Sequence, residues 1–292
     1  MSYLTQHWSF DPLLIIVVIL AGWHAIGLAR LARSREPDPA GHRSRRALLF
    51  YAGLAVLLVA VQSPLDYWGY DYFFIHMIQH LLLMFAAPTL VVAGAPWRPL
   101  AAAVAGLPGP TGASHWIRPL RAAGGFLLRP WVSVALFSIV MVFWHLPGPF
   151  DLSQQDRAVH VWLMQSTFFV AGVLFWLQFI TSPPFRIKIT PVSQAVALLA
   201  TNCVMWVLAM AMGFLTATSW YAVYNHVPGV TLPTLADQQI GAGILWICGD
   251  FWAIPTMIFV IRKLMAEDGS ISAAVDRMLG RGSARYNWAN RG

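Results

Sequence analysis

The chain has 292 residues, 58% of them hydrophobic and only 11% charged. A soluble domain carries roughly 25% charged residues, so water-soluble fold classes are excluded and an all-α polytopic transmembrane bundle is expected. The net charge of +7 would imply nucleic acid only if the basic residues formed one patch, and their distribution shows that they do not.

A helix crosses the hydrocarbon core with about 20 apolar residues. Seven runs meet this requirement: 12–31, 46–63, 72–95, 131–148, 158–180, 192–217 and 240–262. No Lys or Arg precedes the first run and no small-residue cleavage site closes it, so it reads as a retained span rather than a signal peptide. None of the runs shows the two-residue alternation of an outer-membrane barrel, and helices then satisfy the backbone groups within lipid. Residues 1–262 are read as one seven-helix membrane domain and 263–292 as a basic cytoplasmic tail. Pro88 is expected to kink the third run, and Pro147 to end the fourth. The linker 96–130 carries six prolines and is expected to lie along the membrane surface, with a short helix at 98–105.

Eighteen of the 19 basic residues fall in segments 30–46, 96–130, 181–191 and the tail from Arg262. The N-terminal segment and the loops around 62–71 and 218–239 hold none, and the loop 149–157 holds only Arg157. By the positive-inside rule the N-terminus lies outside and the C-terminus in the cytoplasm. This alternation accounts for the net charge with membrane lipid as the partner and no nucleic acid.

That orientation gathers His76, His80, His145, His160 and His226 toward the outer side, together with Asp66, Asp71, Asp151, Asp156 and Asp237. His24 belongs to the opposite half of the first run. Residues i and i+4 share a helix face, so His76 and His80 can bind one ion, with Gln79 beside them. Met84 extends the His80 face by a turn, and His160 and Met164 repeat the spacing. Imidazoles at one depth on three apolar runs are costly, and such residues are usually functional. A shared metal or cofactor site is therefore expected, with His145 and His160 completing what His76 and His80 begin. Asp237 reads as the N-cap of the seventh run and as a partner for an imidazole.

Imidazole suits copper, zinc, iron and nickel, while thioether and thiolate favour Cu(I). Met84, Met164 and Cys248 are the candidate soft ligands, and Cys203 lies nearer mid-membrane. Haem held axially by these histidines is an equally open chemistry at this point. Hydrolytic, nucleotide-binding and HExxH motifs are absent from the sequence, and no catalytic residue is assigned.

Three blocks, "HMIQHLLLMFAAPTLVVAGAP", "WHLPGPFD" followed by His160, and "DQQIGAGILW", resemble the cytochrome c oxidase assembly factor CtaG family of the Bacillus type over roughly residues 50–260. The resemblance implies a seven-span protein of the bacterial cytoplasmic membrane that serves haem–copper oxidase biogenesis, with oxidase subunits as partners and copper as the handled metal. It carries over to His76, Gln79, His80, Trp144, His145, Pro147, Asp151, His160, Asp237, Gln238 and Gln239. The reading is an assembly factor rather than an enzyme, delivering copper from an outer His cluster. A haem-binding electron carrier or quinol oxidoreductase, and a copper transporter, are the alternatives.

Overall fold

The computed structural model describes residues 7–33, 42–104, 122–225 and 227–268, with a few more up to 276. His226, the middle of the 96–130 linker and most of the tail lie outside the described residues. Among the described residues there are helices and no strand. Six helices are long and apolar enough to cross a membrane, or seven if one bent pair is a single span.

Helix α1 (Pro12–Arg33) is followed by α2 (His42–Gln62) and a short helix α3 (Pro64–Trp68). Ser63 caps α3, its hydroxyl accepting from the Leu65 amide. The third span consists of α4 (Phe73–Leu81), a π-helical turn (Leu82–Ala86) and α5 (Ala87–Gly94). Helix α6 (Trp97–Val104) matches the short helix expected in the linker. Helices α7 (Pro130–His145) and α8 (Pro147–Gln155) are bent 72° from one another. A second π-helical turn (Val159–Gln165) leads into α9 (Ser166–Trp176), followed by α10 (Pro191–Gly213) and α11 (Thr234–Asp268).

The third span is the axis of the bundle: 67% of its apolar window is buried, against 17% for α1 and for α11. Helices α2, α9 and α11 pack around it, α10 packs on α11, and α1 packs on α6. Glycines permit the closest of these approaches. A Cβ on Gly172 of α9 would lie 2.6 Å from the Met84 carbonyl oxygen, and one on Gly241 of α11 would lie 2.5 Å from the Phe73 ring. The outward faces of α1, α10 and α11 carry exposed Ile, Val and Phe side chains, the surface that lipid covers.

Two boundaries depart from expectation, and the backbone around Pro88 takes a form of its own. The third span contains a wide turn just before Pro88. Proline lacks the N–H that would bond the carbonyl four residues back, here that of Met84. The backbone widens over Leu82–Ala86, and the Trp176 indole N–H donates to the Met84 oxygen at 3.2 Å. The fourth run ends at His145 rather than at 148. Leu146, extended as a residue before proline prefers, turns the chain into α8. The seventh run begins at Thr234 rather than 240 and continues past 262 into the expected tail.

Candidate functional site

The site lies at the end of the bundle whose loops are poor in basic residues. Helix α4 presents His76 and His80 one turn apart, their ring centroids separated by 4.2 Å. The π-helical turn at Val159–Gln165 places the His160 ring 5.5 Å from that of His76. His145, the last residue of α7, places its ring 5.2 Å from that of His80. The expected convergence thus takes the form of a row, His160–His76–His80–His145, with every side chain at most 2% exposed. Phe150 covers His76 and Phe168 covers His80, at centroid distances of 4.9 and 4.2 Å.

The hydrogen bonding of the row is incomplete. His145 Nδ1 lies 2.6 Å from the Met141 carbonyl oxygen. The Gln154 side-chain amide lies 3.3 Å from Nδ1 of both His76 and His160. Among the described residues, Nε2 of His76, His145 and His160 and both nitrogens of His80 have no hydrogen bond of ordinary geometry. Buried polar atoms are nearly always bonded, so five such nitrogens on four adjacent rings form an unusual concentration. No group of three His, Cys, Asp or Glu side chains among the described residues stands ready to hold one metal ion. The rings are neighbours in pairs, not a closed shell.

Behind the row sits a carboxylate that the motif reading passed over. Asp66 of α3 is 1% exposed. Its Oδ1 accepts from the side-chain amides of Gln79 (2.8 Å) and Gln165 (2.9 Å) and lies 3.5 Å from His160 Nε2. Its Oδ2 accepts from Arg157 at 3.1 Å. Burial works to raise this carboxyl, but the contacts with His160, Gln79 and Arg157 outweigh it and hold Asp66 below the ordinary carboxylate range. Tyr70 packs against His160 with the rings tilted and their centroids 4.9 Å apart. Its phenol is pushed up by burial and then by the Asp66 charge.

The supporting residues divide in two. Gln79 anchors Asp66 and the Ala60 carbonyl rather than an imidazole. Asp237 does not touch the row and is not the N-cap of its own helix, which begins at Thr234 and already includes Asp237 through the bond from its amide to the Pro233 carbonyl. Its carboxylate reaches across to α4 and accepts from the amides of Phe73 (2.7 Å) and Phe74 (2.9 Å). It therefore caps the helix that carries His76 and His80. Gln238 bridges the Trp220 amide and the Met212 carbonyl, and Gln239 donates to the Gly213 carbonyl. Asp151 faces the amides of Val223 and Ala222. These four residues fasten the loops and helix ends around the site. Met84 and Met164 are buried in the apolar core, and Cys248 packs at its edge. His24 stands apart, between α1 and α2, with Nδ1 3.2 Å from the Tyr51 hydroxyl.

Sequence reasoning missed Gln154 altogether and placed Asp66 on the histidines' side without assigning it to the site; they come from the short helices α8 and α3. The signal for Asp66 was its company: Arg157 is the lone basic residue of the loops at this end.

The chain is 26% identical over 279 residues to uncharacterized proteins of Mycobacterium bovis and Mycobacterium tuberculosis. It is 24% identical over 282 residues to one of Mycobacterium leprae. Each alignment covers 92% of this chain and 41% of the relative, so the chain spans well under half the length of these curated relatives. No solved structure matches. The family profile described as cytochrome c oxidase caa3 assembly factor matches residues 22–267, and the chain belongs to that family.

Proposed function

We propose that this protein serves the assembly of haem–copper cytochrome c oxidase by holding copper on the row of imidazoles and releasing it to an oxidase subunit. The observation that carries this reading is the set of five buried ring nitrogens without hydrogen bonds of ordinary geometry, one of which, His160 Nε2, faces Asp66 at 3.5 Å. A metal–imidazole bond of about 2 Å and a ring radius of about 1.2 Å let two rings share one ion up to a centroid separation of about 6 Å. Each neighbouring pair in the row falls within that reach, from 4.2 to 5.5 Å. Paired ligation rather than a closed shell suits a metal that must leave again. Nitrogen donors suit copper among other metals, and the family supplies the oxidase context. In this reading the N-terminus and the His row face outward from a bacterial cytoplasmic membrane. Met84, Met164 and Cys248 would serve only if the core around them rearranged.

Metal analysis of the detergent-purified, copper-loaded protein tests the proposal. Wild type retains copper, and the variant combining His76→Ala with His80→Ala loses it. Equal copper in both would overturn the assignment. A Soret band in the visible spectrum would overturn it in favour of haem, which would require the contacting rings to part. Copper uptake into vesicles would favour a transporter. The row gives that no support, since it ends at His145, whose Nδ1 is already bonded.

A further inference from the structure

Arg157 occupies the polar approach to the row. Its side chain is 47% exposed, while those of its two carboxylate partners are 16% exposed for Asp11 and 1% for Asp66. The guanidinium forks onto Asp11 through Nε and one terminal nitrogen. It also donates to Asp66 Oδ2 and, at 3.4 Å, to the Tyr70 hydroxyl. Asp66 thus has two differently engaged oxygens. Oδ2 meets a cation that is open to solvent, and Oδ1 meets the row through His160 Nε2 at 3.5 Å, a fully buried nitrogen with no hydrogen bond of ordinary geometry. Elsewhere the row is walled by Phe150 and Phe168 and ends at the bonded His145.

Resting on the copper reading above, we propose that Asp66 is an inlet for a monovalent metal cation, Cu(I), which its oxygens hold weakly enough to pass on to imidazole nitrogen, and that Arg157, tethered by Asp11, is its resident counter-charge. An incoming cation displaces the guanidinium from Asp66, binds the carboxylate and passes to His160. One positive charge replaces another, so the buried carboxylate is never left without a partner. Arg157 swings toward solvent while Asp11 keeps hold of it. The inlet differs from the row in that its residues control the rate of loading rather than the capacity.

The test follows bound metal per chain against time, with silver(I) as the probe for the full chain in detergent. Arg157→Gln and Asp11→Asn both loosen the latch and load faster, on the order of fivefold, the factor expected from losing one partly exposed ion pair. Asp66→Asn loads on the order of tenfold more slowly, as removal of a charge-assisted contact predicts. Arg157→Gln and Asp11→Asn reach the wild-type capacity. The faster loading of Arg157→Gln persists in about 1 M sodium nitrate, where the Debye length is about 3 Å. Wild-type rates in all three variants would overturn the inlet, and so would acceleration that disappears in high salt, which would reduce Arg157 to long-range repulsion. Should Asp66→Asn fail to fold, the two surface variants decide. If wild type takes up no silver, or the His76→Ala, His80→Ala variant takes up as much, the copper reading itself falls and the inlet with it.

Discussion

Replacing Asp237 with Ala should unseat the helix that carries two of the four imidazoles. The first amides of any helix lack partners within it. Here two of them, from Phe73 and Phe74, bond to a carboxylate 164 and 163 residues away, at 2.7 and 2.9 Å. Asp237 is 2% exposed, so water cannot easily take its place. Hydrogen bonds to a charged group contribute about 1.5–3 kcal/mol each, and the loss of two costs about 3–6 kcal/mol in Asp237→Ala. Asp237→Asn keeps one acceptor of the same shape and should cost about half as much. Thermal unfolding in detergent measures both. At about 2–4 °C per kcal/mol, the alanine variant should unfold on the order of 10 °C lower, with the asparagine variant between it and wild type. Hydrogen exchange localises the effect to the amides of Phe73 and Phe74. An unchanged Tm in Asp237→Ala, or exchange that opens at the start of α11 instead, would refute the cross-helix cap.

Three further outcomes follow from the packing and the buried charge. Gly172→Ala places a Cβ 2.6 Å from the Met84 carbonyl oxygen and 2.7 Å from Pro88 Cγ. It should destabilise by about 1–3 kcal/mol, whereas Gly243→Ala meets nothing within 4 Å and should be neutral or stabilising; paired Tm measurements compare them. Trp176→Phe strips the Met84 carbonyl of its indole donor and should cost about 1–2 kcal/mol, read as faster exchange in the π-helical turn and a lower Tm. Asp66 is held below its ordinary value in the fold, so its stabilising share is present above the unfolded pKa of about 3.9 and is lost as pH falls through the lower folded value. The Tm gap between wild type and Asp66→Asn should be constant above about pH 5 and close below about pH 4, as unfolding scans across pH would record.

The sequence announces the bundle because lipid imposes a simple code: apolar runs of span length, separated by loops that alternate in basic content. It announces the imidazoles of α4 because i and i+4 share a face in any helix. Two kinds of information were hidden. Backbone irregularity was one: Pro88 signals a disturbance, but not the π-helical turn over Leu82–Ala86, nor that the indole of Trp176, 88 positions away, bonds the Met84 carbonyl. Likewise Pro147 marks the end of α7 but not the 72° bend that carries Gln154 to the rings of His76 and His160. Long-range polar pairing was the other. Asp237 looks like a cap from its position at the start of an apolar run, yet its own helix begins at Thr234 and the helix its carboxylate caps is α4. Gln79 looks like an imidazole's neighbour, yet its amide is spent on Asp66 and the Ala60 carbonyl. No local pattern reveals which buried donor a carboxylate or amide will find.

X-ray absorption at the copper edge of the loaded, purified protein tests the central claim most directly. Imidazole-type nitrogen neighbours around copper, lost in the variant carrying His76→Ala and His80→Ala, are the predicted result. A copper environment built from sulfur, or a nitrogen signal that survives removal of both imidazoles, would contradict it.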